Sequence, residues 1–229
     1  MAARSLDVQD LYRQSIRLIL AEPGRILALS AIGLAPSWIA SLISESYLWS
    51  MIILVLSLPL VALAHGGLVV LVAALRRGGP APGLRALLSG PRDGYVRITW
   101  ALVVLSVILG LGFVLLLVPG LIALAYLWVA WPLVVLEDAP AMAAIRESMR
   151  LTAGHRLKIT AMVMILIAID LGLIILQVGL ASAFGLLFSL GLGALIGTAV
   201  TALALTLVTL SYLQLKEPAP AAPPPLSLH

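Results

Sequence analysis

The chain has no cysteine and no asparagine, and only 10% of its 229 residues are charged. Without cysteine there is no disulfide, no thiolate nucleophile and no thiolate metal site. Without asparagine there is no acceptor for N-linked glycans. The shortage of charge excludes more. A soluble domain carries about 25% charged residues, so these few cannot coat a water-exposed globule of this size. Catalytic signatures are absent as well: no Walker loop, no HExxH, no GxSxG and no dinucleotide fingerprint on a strand. Three histidines scattered along the chain do not make a metal site. The sequence therefore reads as non-enzymatic, with no cofactor.

What is present is apolar: 62% hydrophobic residues and a mean hydropathy of +1.15, against roughly 45–50% apolar residues in soluble domains. Lipid is the natural surrounding. The net charge of +4 and pI near 9.9 could suit nucleic acid, but the charges hug the ends of apolar runs and form no protruding basic domain. No nucleic-acid partner is expected. The excess of Arg over Lys and the abundance of Ala point to a high-GC, bacterial source. The first apolar run follows about 25 residues that include acids, unlike a cleavable signal peptide.

Residues 7–21 read as an amphipathic helix within an N-terminal segment, 1–25. Asp7 caps it with Asp10 three residues on. Leu11, Ser15, Leu18 and Ile19 share one face, Arg13 and Arg17 another, and Pro23-Gly24 ends it. Six spans follow within a membrane domain, 26–215: about 26–43, 48–75, 96–118, 121–136, 157–178 and 194–213. About 20 apolar residues cross a bilayer, so the long second span, with Pro59 inside it, should tilt or kink. Pro119-Gly120 is expected to turn the third span into the fourth. Segments 84–95 and 139–153 read as further amphipathic helices, the second capped by Asp138, striped with Met142, Ile145 and Met149, and stopped at Gly154. A short helix over 181–190 is expected between the last two spans. The Pro/Ala-rich tail, 216–229, reads as disordered.

These spans put all fourteen basic residues on one side. The positive-inside rule makes that side cytoplasmic, with both termini there. An odd number of spans would break the segregation. Ser15-Ile16-Arg17-Leu18 also resembles Ser148-Met149-Arg150-Leu151, which aligns Arg25-Ile26 with Lys158-Ile159, and Arg97-Ile98 holds the equivalent place before the third span. The fold class is thus an all-α integral membrane bundle of six spans with short amphipathic cytoplasmic helices, and the unit of helix plus hairpin would be repeated three times.

One stretch carries a family likeness. Pro119, Gly120, Pro132, Glu137, Ala144, Ser148, Leu151 and Gly154 follow in an order that resembles the YciC-like bacterial inner-membrane proteins and the membrane domain of some glycerophosphodiester phosphodiesterases. The resemblance implies six spans in the inner membrane and no defined activity.

Two residues stand out inside the spans. Asp170 lies twelve residues past Lys158, about 18 Å along a helix, and His65 is also near mid-depth. Intramembrane ionisable groups are functional candidates; the plain alternatives are a neutral, hydrogen-bonded acid and a histidine at a close helix crossing beside Gly66-Gly67. Ser189, Gly193, Gly197 and Thr201 recur every fourth residue, a spacing that lets helices approach, with a partner either inside the chain or in another subunit. Two functions stay open. One is a protein that organises or stabilises membrane lipids or envelope proteins, by self-association or with others. The other is a small transporter or permease subunit using Asp170 and His65. A continuous polar cavity reaching Asp170 would favour transport, and a dry bundle the organiser.

Overall fold

The computed structural model describes residues 6–43, 46–89 and 92–217. These residues are mostly helical, with no strand among them. The elements are α1 (Val8–Ala21), α2 (Pro23–Ile43), α3 (Tyr47–Arg76), α4 (Leu84–Ser89), α5 (Arg92–Leu115), α6 (Leu117–Leu127), α7 (Ala130–Leu136), α8 (Ala141–Leu151), α9 (Arg156–Phe184) and α10 (Leu186–Lys216). Six spans are long and apolar enough to cross a membrane: Pro23–Leu42, Tyr47–Arg76, Gly94–Leu115, Val118–Leu136, Arg156–Ala181 and Phe188–Lys216. The protein is a multi-pass α-helical membrane bundle.

Helix is the only open-ended way to satisfy every backbone N–H and C=O in hydrocarbon, which is why Pro36 and Pro59 sit inside continuous helices rather than ending them. The element order gives a short helix followed by a packed helical hairpin three times: α1 with α2–α3, α4 with α5 and α6–α7, α8 with α9–α10. The aligned positions match in burial, since Ser15 and Ser148 are both fully buried, as are Ile26 and Ile159.

The basic segments meet at one end. Lys158 Nζ donates to the Leu6 carbonyl at 2.9 Å, and the Tyr12 hydroxyl to the Met162 carbonyl at 2.8 Å. Arg25 reaches the Ala81 carbonyl at 3.4 Å. Arg76 faces Glu217 at 3.7 Å, and Arg97 pairs with Asp138. These bonds tie α1 and the residues before it to the start of α9, the segment after α3 to the start of α2, the ends of α3 and α10 to each other, and the segment after α7 to the start of α5. The fully buried side chains, among them Ile26, Leu29, Leu71, Leu133, Ile159 and Leu210, gather toward this basic end. Toward the hairpin end, Leu56, Val114, Ile175 and Val178 stand exposed and would face lipid.

Several local expectations need correction. The helix expected over 181–190 is not a separate element: α9 runs on to Phe184, and α10 starts at Leu186. Gly185 alone makes the turn, with φ of +86°, a region open to glycine but strained for a side chain. The third span turns at the extended Leu116, not at Pro119-Gly120. Pro119 instead occupies the first turn of α6, where a missing N–H costs nothing. The fourth span is broken into α6 and α7. Segment 84–95 holds α4, to Ser89, and the start of α5, from Arg92; residues 90 and 91 lie outside the described residues.

Asp138 does not cap α8. Pro140 holds the N-cap position, while Asp138 adopts a positive φ of 55° and gives its carboxylate to Arg97. The buried face of α8 is Ala141, Ala144, Ile145 and Ser148, with Met142 and Met149 exposed. Asp7 does cap α1, accepting from the Gln9 and Asp10 backbone N–H groups, but Asp10 turns to Gln14 rather than back to Asp7. The Pro/Ala-rich tail beyond Glu217 lies outside the described residues.

Candidate functional site

Pro132 has no N–H, so it cannot close the helical bond to the Trp128 carbonyl, and the fourth span breaks there. The break turns Trp128 and Trp131 inward, leaving them 6% and 8% exposed. Both line a partly open cavity of about 360 Å³. Its walls come from α5 (Leu102, Leu105, Ser106, Leu109), α6, α9 (Val163, Leu166, Ile167) and α10, with His65 from α3. Helix α5 packs on α3, α6, α7 and α8, whereas α9 packs on α6 and α10. The cavity opens where these two groups diverge.

The wall is largely apolar. The indole N–H groups of Trp128 and Trp131, and Nε2 of His65, are buried with no hydrogen-bond partner among the described residues. His65 also marks a close crossing, because a Cβ built on Gly33 of α2 would lie 2.6 Å from its Nε2. Asp170 is half-buried and does not line the cavity. No hydrogen bond joins it to His65 among the described residues, so the chain does not bring these two together as a pair.

The small-residue stripe packs within the chain. A Cβ on Gly193 would meet Gln177 Nε2 at 2.4 Å and Trp38 Cη2 at 3.0 Å, and one on Gly197 would meet Trp38 Cζ2 at 3.6 Å. Trp38 of α2 thus lies against the groove on α10. The buried Ser189 offers its carbonyl to Gln177 Nε2 at 3.0 Å, fastening α9 to α10. Thr201, one turn beyond Gly197, is half-buried.

The stretch with the family likeness is structural in its contacts. Gly120 lies under the Phe113 ring, where a Cβ would meet Cδ1 at 2.4 Å. Ala144 and Ser148 are fully buried, and the Ser148 hydroxyl donates to the Tyr126 carbonyl at 2.8 Å. Leu151 closes α8 and packs against the core, and Gly154 takes a φ of +85° just beyond. Glu137 ends α7, accepting from the Tyr212 hydroxyl and facing Lys216 Nζ at 2.5 Å.

Around the basic end, burial pushes the Tyr12 hydroxyl up to about 12. Burial, helped by the charge of Lys158, pulls His155 below its ordinary value. The hydrogen bond from Arg150 holds Glu147 below the usual carboxylate range. Arg156 lies over the Tyr126 ring at 3.8 Å. A second cleft, of about 520 Å³, opens to the surface between Arg76, Arg77, Tyr212 and Lys216. Among the described residues no group of three His, Asp or Glu could hold a metal ion.

Sequence reasoning missed the two tryptophans. The signal was there: Trp128 and Trp131 are i,i+3 neighbours well inside a span, whereas tryptophan usually marks the interface. No family model, curated protein or solved structure matches the chain.

Proposed function

We propose that this chain is a non-catalytic protein of a bacterial inner membrane that organises or stabilises lipids or neighbouring envelope proteins. The observation that carries the reading is the cavity. Its wall is largely apolar and Asp170 is not among the residues that line it, which favours a place for hydrocarbon over a path for an ion. The likeness to YciC-like proteins belongs to the same proposal, as does the orientation. The positive-inside rule places the basic end in the cytoplasm. The direct test is extraction in native-lipid discs followed by mass spectrometry of what travels with the protein. Enrichment of particular lipids or membrane proteins over the bulk membrane is expected, and a profile equal to the bulk would defeat the reading.

Orientation has its own check. Cysteines placed at Ser46, Leu116 and Phe184 should label from outside the cell, and those at Gly79 and Arg146 only after permeabilisation. Leu116 serves better than Gly120, because it is exposed whereas Gly120 is covered by Phe113. Labelling of Ser46 and Gly79 from the same side would contradict six spans.

Transport remains the second reading because Asp170 is an acid within a span. The two readings part on substitution. For a residue that only hydrogen-bonds, Asp170→Asn should be silent, and for one facing lipid, Asp170→Leu should be neutral or stabilising. A proton carrier or cation ligand would lose function on Asp170→Asn while keeping its melting temperature. We expect the silent outcome in growth and thermal-stability assays; a stable, inserted Asn variant without function would promote transport.

A further inference from the structure

We infer that α1 and α8 each lay a matching two-arginine face on the cytoplasmic leaflet, where it binds the phosphate headgroups of anionic lipids. This deepens the lipid-contacting reading above by naming the lipid class, and it rests on that reading. Duplication, depth and charge each point to it.

The same face is built twice. Helix α1 carries Arg13-Gln14-Ser15-Ile16-Arg17-Leu18, and α8 carries Arg146-Glu147-Ser148-Met149-Arg150-Leu151. In both, the serine is fully buried and the leucine is half-buried. In both, the two arginines are exposed, and so is the apolar residue beside the second, Ile16 at 49% and Met149 at 40%. Residues at i, i+3 and i+4 share one side of a helix. Each helix therefore turns two guanidinium groups and one apolar side chain away from the bundle together.

Depth places these faces at the membrane boundary. The Tyr12 hydroxyl of α1 donates to the Met162 carbonyl, six residues into α9. The Ser148 hydroxyl of α8 donates to the Tyr126 carbonyl, which lies within the fourth span. Between α1 and α2 there is a single residue, Glu22. Both helices thus lie against the spans themselves and not on a domain hanging below them.

Charge and polarity name the occupant. Within the two stretches, four arginines stand against one acid, Glu147, which pairs with Arg150. Both faces are left positive. An arginine fork matches phosphate oxygens, and basic residues on an interfacial helix attract anionic headgroups. Ile16 and Met149 gain nothing from water, whereas at the headgroup boundary an apolar side chain reaches the acyl layer.

The test uses the full chain in vesicles. Because the chain has no cysteine, nitroxides can be attached singly at Ile16→Cys, Met149→Cys, the loop control Pro80→Cys and the lipid-facing control Val178→Cys. Collisions with oxygen and with a water-soluble nickel chelate are then compared. At Ile16 and Met149 the oxygen-to-chelate ratio should lie well above that at Pro80, toward that at Val178. A ratio equal to Pro80 at either position would leave that face to water or to a soluble protein, and would overturn the inference.

Lipid choice is read with spin-labelled phosphatidylglycerol and phosphatidylcholine in phosphatidylcholine vesicles. The wild type should immobilise the phosphatidylglycerol preferentially. Arg13→Gln with Arg17→Gln, and Arg146→Gln with Arg150→Gln, should each cut that preference about two- to fivefold, up to the worth of one arginine beside an anionic surface. Arg76→Gln with Arg77→Gln, outside both faces, should cost less. No preference in the wild type, no loss in the folded α1 and α8 variants, or an equal loss from the Arg76 and Arg77 pair would each overturn the inference. Melting temperatures confirm that each variant is folded. Enrichment of other lipids or of proteins in native discs would persist if only these faces were wrong, so the two failures are distinguishable.

Discussion

Gly193→Leu is expected to lower the melting temperature in detergent by roughly 2–12 °C. Even a Cβ at this position falls 2.4 Å from Gln177 Nε2 and 3.0 Å from Trp38 Cη2. The Gln177 amide could swing aside, but it would then lose its bond to the Ser189 carbonyl, and with it a tie between α9 and α10. Trp38 has less room, since its ring is the surface on which α10 rests against α2. Overfilling a packed site costs about 1–3 kcal/mol, and each kcal/mol moves the midpoint of a chain this size by about 2–4 °C. Gly197 has ordinary contact distances of 3.6 and 3.7 Å to Trp38 and Leu34. Gly197→Ala should therefore be tolerated and Gly197→Leu should destabilise. Leu192→Ile, beside the stripe, is the control and should melt like the wild type. Thermal unfolding of the four variants side by side decides the matter: equal midpoints would mean that the stripe packs against nothing.

The features legible in the sequence were those written in one dimension. Six apolar runs and the segregation of Arg and Lys need no knowledge of neighbours, and both reappear in the bundle. The small-residue stripe was legible as a contact surface, but its partner was not, because nothing near Gly193 in sequence announces Trp38. Where a helix must end proved harder. Leu116 turns the second hairpin although Pro119-Gly120 looks like the stronger breaker, since proline fits a first helical turn as well as a loop. The stripe on α8 misled for a different reason. In water the apolar face of a helix turns inward, but at a membrane surface it can turn toward lipid, while small residues let the helix approach its own bundle. Ala141, Ala144 and Ser148 therefore face the protein, and Met142 and Met149 do not. His65 and Asp170 were visible as polar residues in apolar runs, yet the pairing between them was not decidable from spacing. The cavity was invisible altogether, because it exists only where α5 and α9 part.

Glu137→Gln should destabilise the bundle, while Glu147→Gln should leave its melting temperature unchanged, although both acids face a cation at short range. Glu137 sits at the C-terminal end of α7, where the helix dipole disfavours negative charge. Its carboxylate faces Nζ of Lys216, the last residue of α10, at 2.5 Å, and accepts from the hydroxyl of Tyr212 one turn earlier. Three groups from two spans thus converge, and removing the charge leaves Lys216 facing a neutral amide. Charge-assisted hydrogen bonds are worth about 1.5–3 kcal/mol. About a third of the Glu137 side chain is exposed, so solvent screening brings the expected loss down to about 1–2 kcal/mol, or roughly 2–8 °C. Glu147 and Arg150 are partners within α8 at 2.6 Å, with side chains 30% and 74% exposed. Both belong to the same helix, so their bond ties no two helices together. A double-mutant cycle with Tyr212→Phe separates the hydroxyl from the ammonium. The three-group arrangement predicts that Glu137→Gln costs less once the hydroxyl is gone. Strict additivity would mean that Tyr212 only packs beside Glu137. Equal midpoints for Glu137→Gln and Glu147→Gln would show that the join between α7 and α10 is held by packing alone.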